Sequence, residues 1–353
     1  KLIIGYYRLS MEDDSEGDGR RFYTDGPHIH EYLKELVCGA GIEDFVTVGE
    51  MSSTSLEHCI RYSSPKEKEL SMCFNFHHLK VDYKDGDKWA LAAPDYKRLK
   101  ELFMQWQLGM QAGGGWNALF WCNHDQPRIV SRMGDEGDYW KESAKMLAGM
   151  IHLMRGTPYI YQGEEIGMLN AHYSSIGQYR DVESLNYYQI LLEKGRTEEE
   201  ALQILAARSR DNGRTPMQWN GGTYGGVSEA EPWLSLSGAF REEITAEFQK
   251  EDPDSILSFY KMLISLRKKR PVIAEGTISF LETGNDRTLA YERALGEDKI
   301  AVFCNLGKEE QTVPIGKEWT GGKLLLENYR ERRNAPEAET FVMKPYEIMA
   351  IEK

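Results

Sequence analysis

Two carboxylates in this chain follow short apolar runs, and that placement suggests chemistry. Glu50 closes FVTVGE (Phe45 to Glu50), and Asp125 follows ALFWC within CNHDQPR, with His124 beside it. A carboxyl at the mouth of a buried strand can reach a substrate atom while its surroundings raise its pKa, as a general acid requires. Each has a plainer reading: Glu50 as a surface residue at a strand end, Asp125 as a helix N-cap before a proline turn. Other polar side chains nearby suit binding: His77, His78 and Lys80 in FNFHHLKVDY, and Arg128 in CNHDQPR. A lysine serves a phosphate as a point charge, and it serves a solvated loop equally well. Arg20 and Arg21 form a weaker basic pair. Arg210 and Arg214 in SRDNGRTPMQW are expected to organise a loop, with Glu164 and Glu165 pairing to such arginines.

The elements that must hold these residues alternate. Strand-like runs at Phe45 to Glu50, Glu69 to Leu79, Trp116 to Asp125 and Thr157 to Glu165 are separated by helical patterns, which indicates α/β architecture. Helices are expected over about 95–109, 139–154, 184–194, 197–208 and 255–270, the last with basic residues in its final turn. From about Ala274 the runs TISFLET, TLAYERA, KIAVFCNL and FVMKPYEIMAIEK alternate between turn residues and predict a compact antiparallel β domain. In a (β/α)8 barrel, catalytic residues sit at the C-terminal ends of the strands. Four such strands precede the β region.

A net charge of −13 over 353 residues argues against a nucleic-acid partner. Five scattered cysteines with no CxxC pair suggest neither a disulfide framework nor a zinc site, so the expected home is the cytoplasm. The N-terminus carries no leader pattern. The longest apolar helical stretch, MLAGMIHLM, is too short to cross a bilayer, so no membrane partner is expected.

The stretches GDGRRFYTDGP, VGEMSST, FNFHHLKVDY, GGGWNALFW, CNHDQPR, GTPYIYQGEEIGM, QYRDVESLN and SRDNGRTPMQW together resemble the α-amylase-like family of retaining α-glucosidases. Within that family they are most similar to the trehalose-6-phosphate hydrolases, with the oligo-1,6-glucosidases as the neighbouring alternative. The resemblance implies that Glu50 is the general acid/base and that Asp125 stabilises an oxocarbenium-like transition state. It implies that His124 donates to the same sugar hydroxyls, that Arg128, His77, His78 and Lys80 contact substrate, and that no cofactor is needed.

The family's nucleophile is expected in a G-F-R-L-D-like stretch. The nearest string here, GYYRLS, has Ser10 in place of the aspartate. Asp13, Asp14, Asp18 and Asp25 are poor stand-ins because none ends an apolar strand. The opening IIGYYRLSMEDD instead resembles the start of a serine recombinase. The resulting expectation is an α/β chain holding the C-terminal half of a (β/α)8 barrel, about strands 5–8, followed by a small antiparallel β-sandwich. The corresponding segments are 1–16 (a foreign opening), 17–272 and 273–353. Such a chain would be truncated, inactive alone and prone to self-association through open barrel edges.

Overall fold

The computed structural model describes residues 24–42, 44–331 and 335–353. The opening segment 1–16 and the Arg20–Arg21 pair lie outside the described residues.

Four parallel strands form one sheet in the order β1 (Val48–Met51), β2 (Met72–Asn75), β3 (Asn117–Leu119) and β4 (Thr157–Pro158). Their register aligns Glu50 with Phe74, Phe74 with Ala118, and Ala118 with Thr157. The strand ends that carry polar side chains therefore face the same way. Helix α1 (Ile29–Gly39) precedes these strands, and α2 (Leu56–Ser63), α3 (Tyr96–Gly113), α4 (Ile129–Met133) and α5 (Trp140–His152) lie between them.

Local chemistry sets the helix limits. Asp95 caps α3 by accepting from the Arg98 amide, and Gly114 closes it in the left-handed conformation that glycine adopts without strain. Beyond β4 come α6 (Val182–Glu193), α7 (Glu198–Arg208), α8 (Asp211–Arg214), α9 (Ala246–Lys250), α10 (Ile256–Lys269) and α11 (Pro271–Glu275). Thr197 and Glu200 close a capping box on α7, so two orphan amides are satisfied reciprocally. Ser255 caps α10, whose last turn holds Arg267, Lys268 and Lys269 against the helix dipole.

Residues 277–352 are antiparallel β. A five-stranded sheet runs in the order β5 (Thr277–Leu281), β6 (Thr288–Leu295), β7 (Asp298–Asn305), β11 (Ile348–Glu352), β9 (Lys323–Glu327). A two-stranded ladder pairs β10 (Thr340–Met343) with β8 (Gln311–Pro314). One apolar cluster runs from the parallel sheet through α3, α5 and α10 to Ile278, Tyr291, Val302 and Ile348, so the inner face of the five-stranded sheet shares the core of the α/β part. Among the described residues, no helix is long and apolar enough to cross a membrane.

Candidate active site

Strand β1 delivers Glu50 to a pocket of about 190 Å³. Phe74 and Phe76 enter from the end of β2, Phe120, Cys122, Asn123 and His124 from beyond β3, and Tyr159, Ile160 and Tyr161 from beyond β4. Phe74 stands edge-on to both Phe120 and Tyr159, at centroid distances of 4.9 and 4.6 Å, which fixes the aromatic wall. A carboxyl and an imidazole set among aromatic faces can bind a polyol ring and move a proton to or from it.

Asp125, next to the pocket residue His124, is held by the arginine loop. Arg214 donates to Asp125 Oδ1 at 2.9 Å and, through Nε, to the His124 carbonyl at 2.8 Å. Its Nη1 also lies 3.6 Å from Asp181. Arg210 sits 4.0 Å from the same Asp125 oxygen and pairs with Glu183 at 3.0 Å, while Lys88 reaches Glu183 at 2.7 Å. The loop-organising part expected for Arg210 and Arg214 is visible in these contacts. His124 Nε2 lies 3.6 Å from Asp125 Oδ2. Tyr161, which lines the pocket, ties the same loop by donating to the Gly213 carbonyl at 2.8 Å.

The other expected site residues separate. Lys80 lies at the surface and donates to the Ser52 carbonyl at 2.9 Å, two residues beyond Glu50. His77 packs on Trp106 at 4.9 Å, and burial lowers its pKa to about 4. His78 is a core residue. Its Nε2–H donates to the Phe120 carbonyl at 2.9 Å, and burial holds the ring neutral, with a pKa lowered to about 4. Arg128 is buried too, its guanidinium donating to the carbonyls of Gln162 and Asn212 (3.1 Å for the latter). Neither His78 nor Arg128 lines the pocket, and their polar atoms are committed to backbone carbonyls. Glu164 likewise takes a hydrogen bond from Tyr260 at 2.9 Å instead of an arginine.

The lining aromatics Tyr159 and Tyr161 escaped the sequence reading, although the alternation in TPYIYQ was a signal for them. Asp25, which had been set aside as a nucleophile, accepts from Tyr62 at 2.7 Å and lies outside the pocket lining. Among the described residues no group of three or more His, Cys, Asp or Glu is arranged to hold a metal ion.

The chain belongs to the alpha-amylase family: residues 4–276 match its catalytic domain, described as "Alpha amylase, catalytic domain". The chain is 49% identical to a trehalose-6-phosphate hydrolase of Bacillus subtilis over 94% of its own length and 59% of the relative's. It is also 49% identical to that of Escherichia coli, over 96% of this chain and 61% of the relative. The crystal structure of a Bacillus licheniformis trehalose-6-phosphate hydrolase superposes with a TM-score of 0.90 at 48% identity, covering 96% of this chain and 62% of that one. The chain therefore spans about three fifths of the relatives it matches.

These matches correct the half-barrel expectation. The catalytic-domain match reaches back to residue 4, and nearly the whole chain superposes on a TIM-barrel enzyme. The four expected runs each overlap one of the four parallel strands, so it is the extent of the family match and not the strand count that overturns the expectation. The expected inactivity of the chain loses its support with it.

Proposed function

We propose that this site is that of a retaining α-glucosidase whose substrate is trehalose 6-phosphate, hydrolysed to glucose and glucose 6-phosphate. The observation that carries the reading is the convergence of Glu50 and His124 on one aromatic-walled pocket, with Asp125, the residue after His124, held by Arg214. Glu50 protonates the glycosidic oxygen as the bond to the anomeric carbon breaks, then takes the proton of the incoming water. Asp125, held by Arg214, faces the positive charge that develops on the ring, and His124 donates to a hydroxyl of the same sugar. Retention also requires a nucleophilic carboxylate about 5 Å from the acid, and we assign none among the described residues. The reading needs no cofactor and places the chain in the cytoplasm, where a phosphorylated sugar is held.

Glucose release from trehalose 6-phosphate by the purified chain tests this, with isomaltose as the competing substrate. Glu50→Gln should lower turnover of trehalose 6-phosphate by roughly 10²- to 10⁴-fold, the range of a lost general acid. Turnover that survives Glu50→Gln, or a preference for isomaltose, sinks the reading.

Lys80, whose ammonium donates to the Ser52 carbonyl two residues beyond Glu50, is the cation this reading offers to a phosphate on the leaving sugar. Lys80→Met should raise KM for trehalose 6-phosphate about tenfold, the size of one lost exposed charge-assisted contact, and leave KM for unphosphorylated trehalose unchanged. Equal effects on the two substrates would remove Lys80 from phosphate recognition.

A further inference from the structure

Behind the pocket wall lies a carboxyl group that the mechanism above does not use. Glu164 follows Gly163, whose φ of 85° turns the chain sharply inward. A Cβ at Gly163 would stand 3.0 Å from Arg128 Nη1, so only glycine makes this turn without strain. The Glu164 amide bonds back to the carbonyl of the wall residue Tyr161 at 3.0 Å. Its Oε1 accepts from the Tyr260 hydroxyl on α10 at 2.9 Å, while its Oε2 is buried and has no hydrogen-bond partner.

The charged and titratable groups around Glu164 do not compensate an anion. Arg128 is the nearby cation, and its guanidinium is committed to backbone carbonyls. Glu165 adds like charge. Cys122, which lines the pocket, lies beside Glu164 with its thiol pushed well up by burial, so it stays neutral. His152, edge-on to Tyr260 at 5.3 Å, is also neutral, since burial lowers its pKa to about 4. Burial outweighs the Tyr260 hydroxyl, the Tyr161 amide and the Cys122 thiol, which favour the charged form, and a buried carboxyl without an ion-pair partner keeps its proton.

We propose that Glu164 is a neutral carboxylic acid that positions the Tyr159–Tyr161 wall and the Cys122–His124 segment, and that its ionisation loosens both. This inference rests on the pocket being the active site only for its effect on turnover. Burial pushes the Glu164 pKa up to about 7, so the switch falls in a physiological range. Folding favours the protonated form. Relative to a variant without the charge, the wild type therefore loses stability as pH rises from the unfolded value, about 4.3, to about 7, and the full penalty holds above that.

The test compares the wild-type chain with Glu164→Gln, which keeps the shape and the Tyr260 hydrogen bond, and with Glu164→Leu, which does not. Infrared difference spectra should show a carboxylic-acid carbonyl band at about pH 6 that is gone at about pH 8 and absent from Glu164→Gln. Hydrogen exchange, corrected for intrinsic rate, should quicken across 157–168 and 122–129 over the same range in wild type only. Glucose release should fall about tenfold by one pH unit above the transition in wild type and stay level in Glu164→Gln. Glu164→Leu should lose stability at every pH, as a purely structural contact would. A missing band, or exchange with the same pH dependence in wild type and Glu164→Gln, overturns the proposal without touching the assignment of Glu50. Failure of turnover in all three proteins with the band and exchange shift intact supports the inference and counts against the substrate instead.

Discussion

Asp82→Ala should destabilise the chain by about 3–5 kcal/mol, the cost of removing one member of a buried ion network. Asp82 lies in FNFHHLKVDY and is almost fully buried. Arg132 on α4 holds it in a fork, Nε to Oδ2 at 2.7 Å and Nη2 to Oδ1 at 2.6 Å, and Arg208 at the end of α7 donates to both its carboxylate and its carbonyl. Both guanidinium groups also lie over the Tyr83 ring, at 5.5 and 5.4 Å. Without the carboxylate two arginines are left buried against each other. Burial raises the Asp82 pKa, but the two arginines outweigh it and hold the group below the usual carboxylate value. A depressed carboxyl stabilises the fold above its unfolded pKa, about 3.9, and that contribution is lost as pH falls through the folded value. Urea unfolding should therefore show the widest gap between wild type and Asp82→Ala near neutrality, closing in acid. A double variant with Arg132→Met should lose less than the two single losses added together, because the partners act as a unit. The network also reaches the site: Arg132 Nη1 donates to Gln126 Oε1 at 2.9 Å, next to Asp125, and Asp82 lies two residues beyond Lys80. Strict additivity, or a gap that ignores pH, would show that the three side chains do not form one network.

This network also marks the limit of what the sequence made legible. The helices announced themselves through their ends, with Asp95, Thr197 and Ser255 as caps and basic residues closing α10, and their observed spans fall within a few residues of those expected. The parallel strands were located but drawn too long. TPYIYQGEE reads as one strand to Glu165, whereas only Thr157–Pro158 pair and Gly163 turns the chain away. Helices α1 and α2 went unread, although Ser55 accepts from the His58 amide as a cap should. Glu50, His124 and Asp125 stand out in the sequence because a polar residue ending an apolar run is a local pattern. His78 and Arg128 stand out only by side-chain type, which suits a sugar site and a buried support equally well. What holds their polar atoms is a carbonyl far along the chain, Phe120 for His78 and Gln162 for Arg128, which no local pattern encodes.

Arg293→Leu should be as damaging as Asp82→Ala, for a different reason. Arg293 on β6 is fully buried, and burial lowers its pKa to about 10. Among the described residues it has no carboxylate partner. Instead it donates to four carbonyls: Thr277 at 3.0 Å, Leu153 and Ile273 at 2.7 Å each, and Gly276 at 2.6 Å. Leu153 ends α5 and Gly276 ends α11, so the cation lies where two helices leave unpaired carbonyls and a negative dipole end. One side chain thus fastens the antiparallel sheet to the ends of α11 and of α5, the helix that packs against β4. Tyr291, two residues earlier, reinforces the seam by donating to the Met150 carbonyl at 2.7 Å. Leucine fills much of the space but leaves those four acceptors buried without donors, at about 1–3 kcal/mol for each group left unsatisfied before relaxation. After relaxation the loss should be about 3–5 kcal/mol. Arg293→Lys should fall between, keeping the charge while reaching fewer carbonyls. Because the bonds cross the seam, calorimetry should resolve the single transition of the wild type into two in Arg293→Leu, the β region melting first. The Glu50 pocket should keep its geometry until the second. One unsplit transition at a lower temperature would mean that the shared apolar core, and not this arginine, couples the two parts.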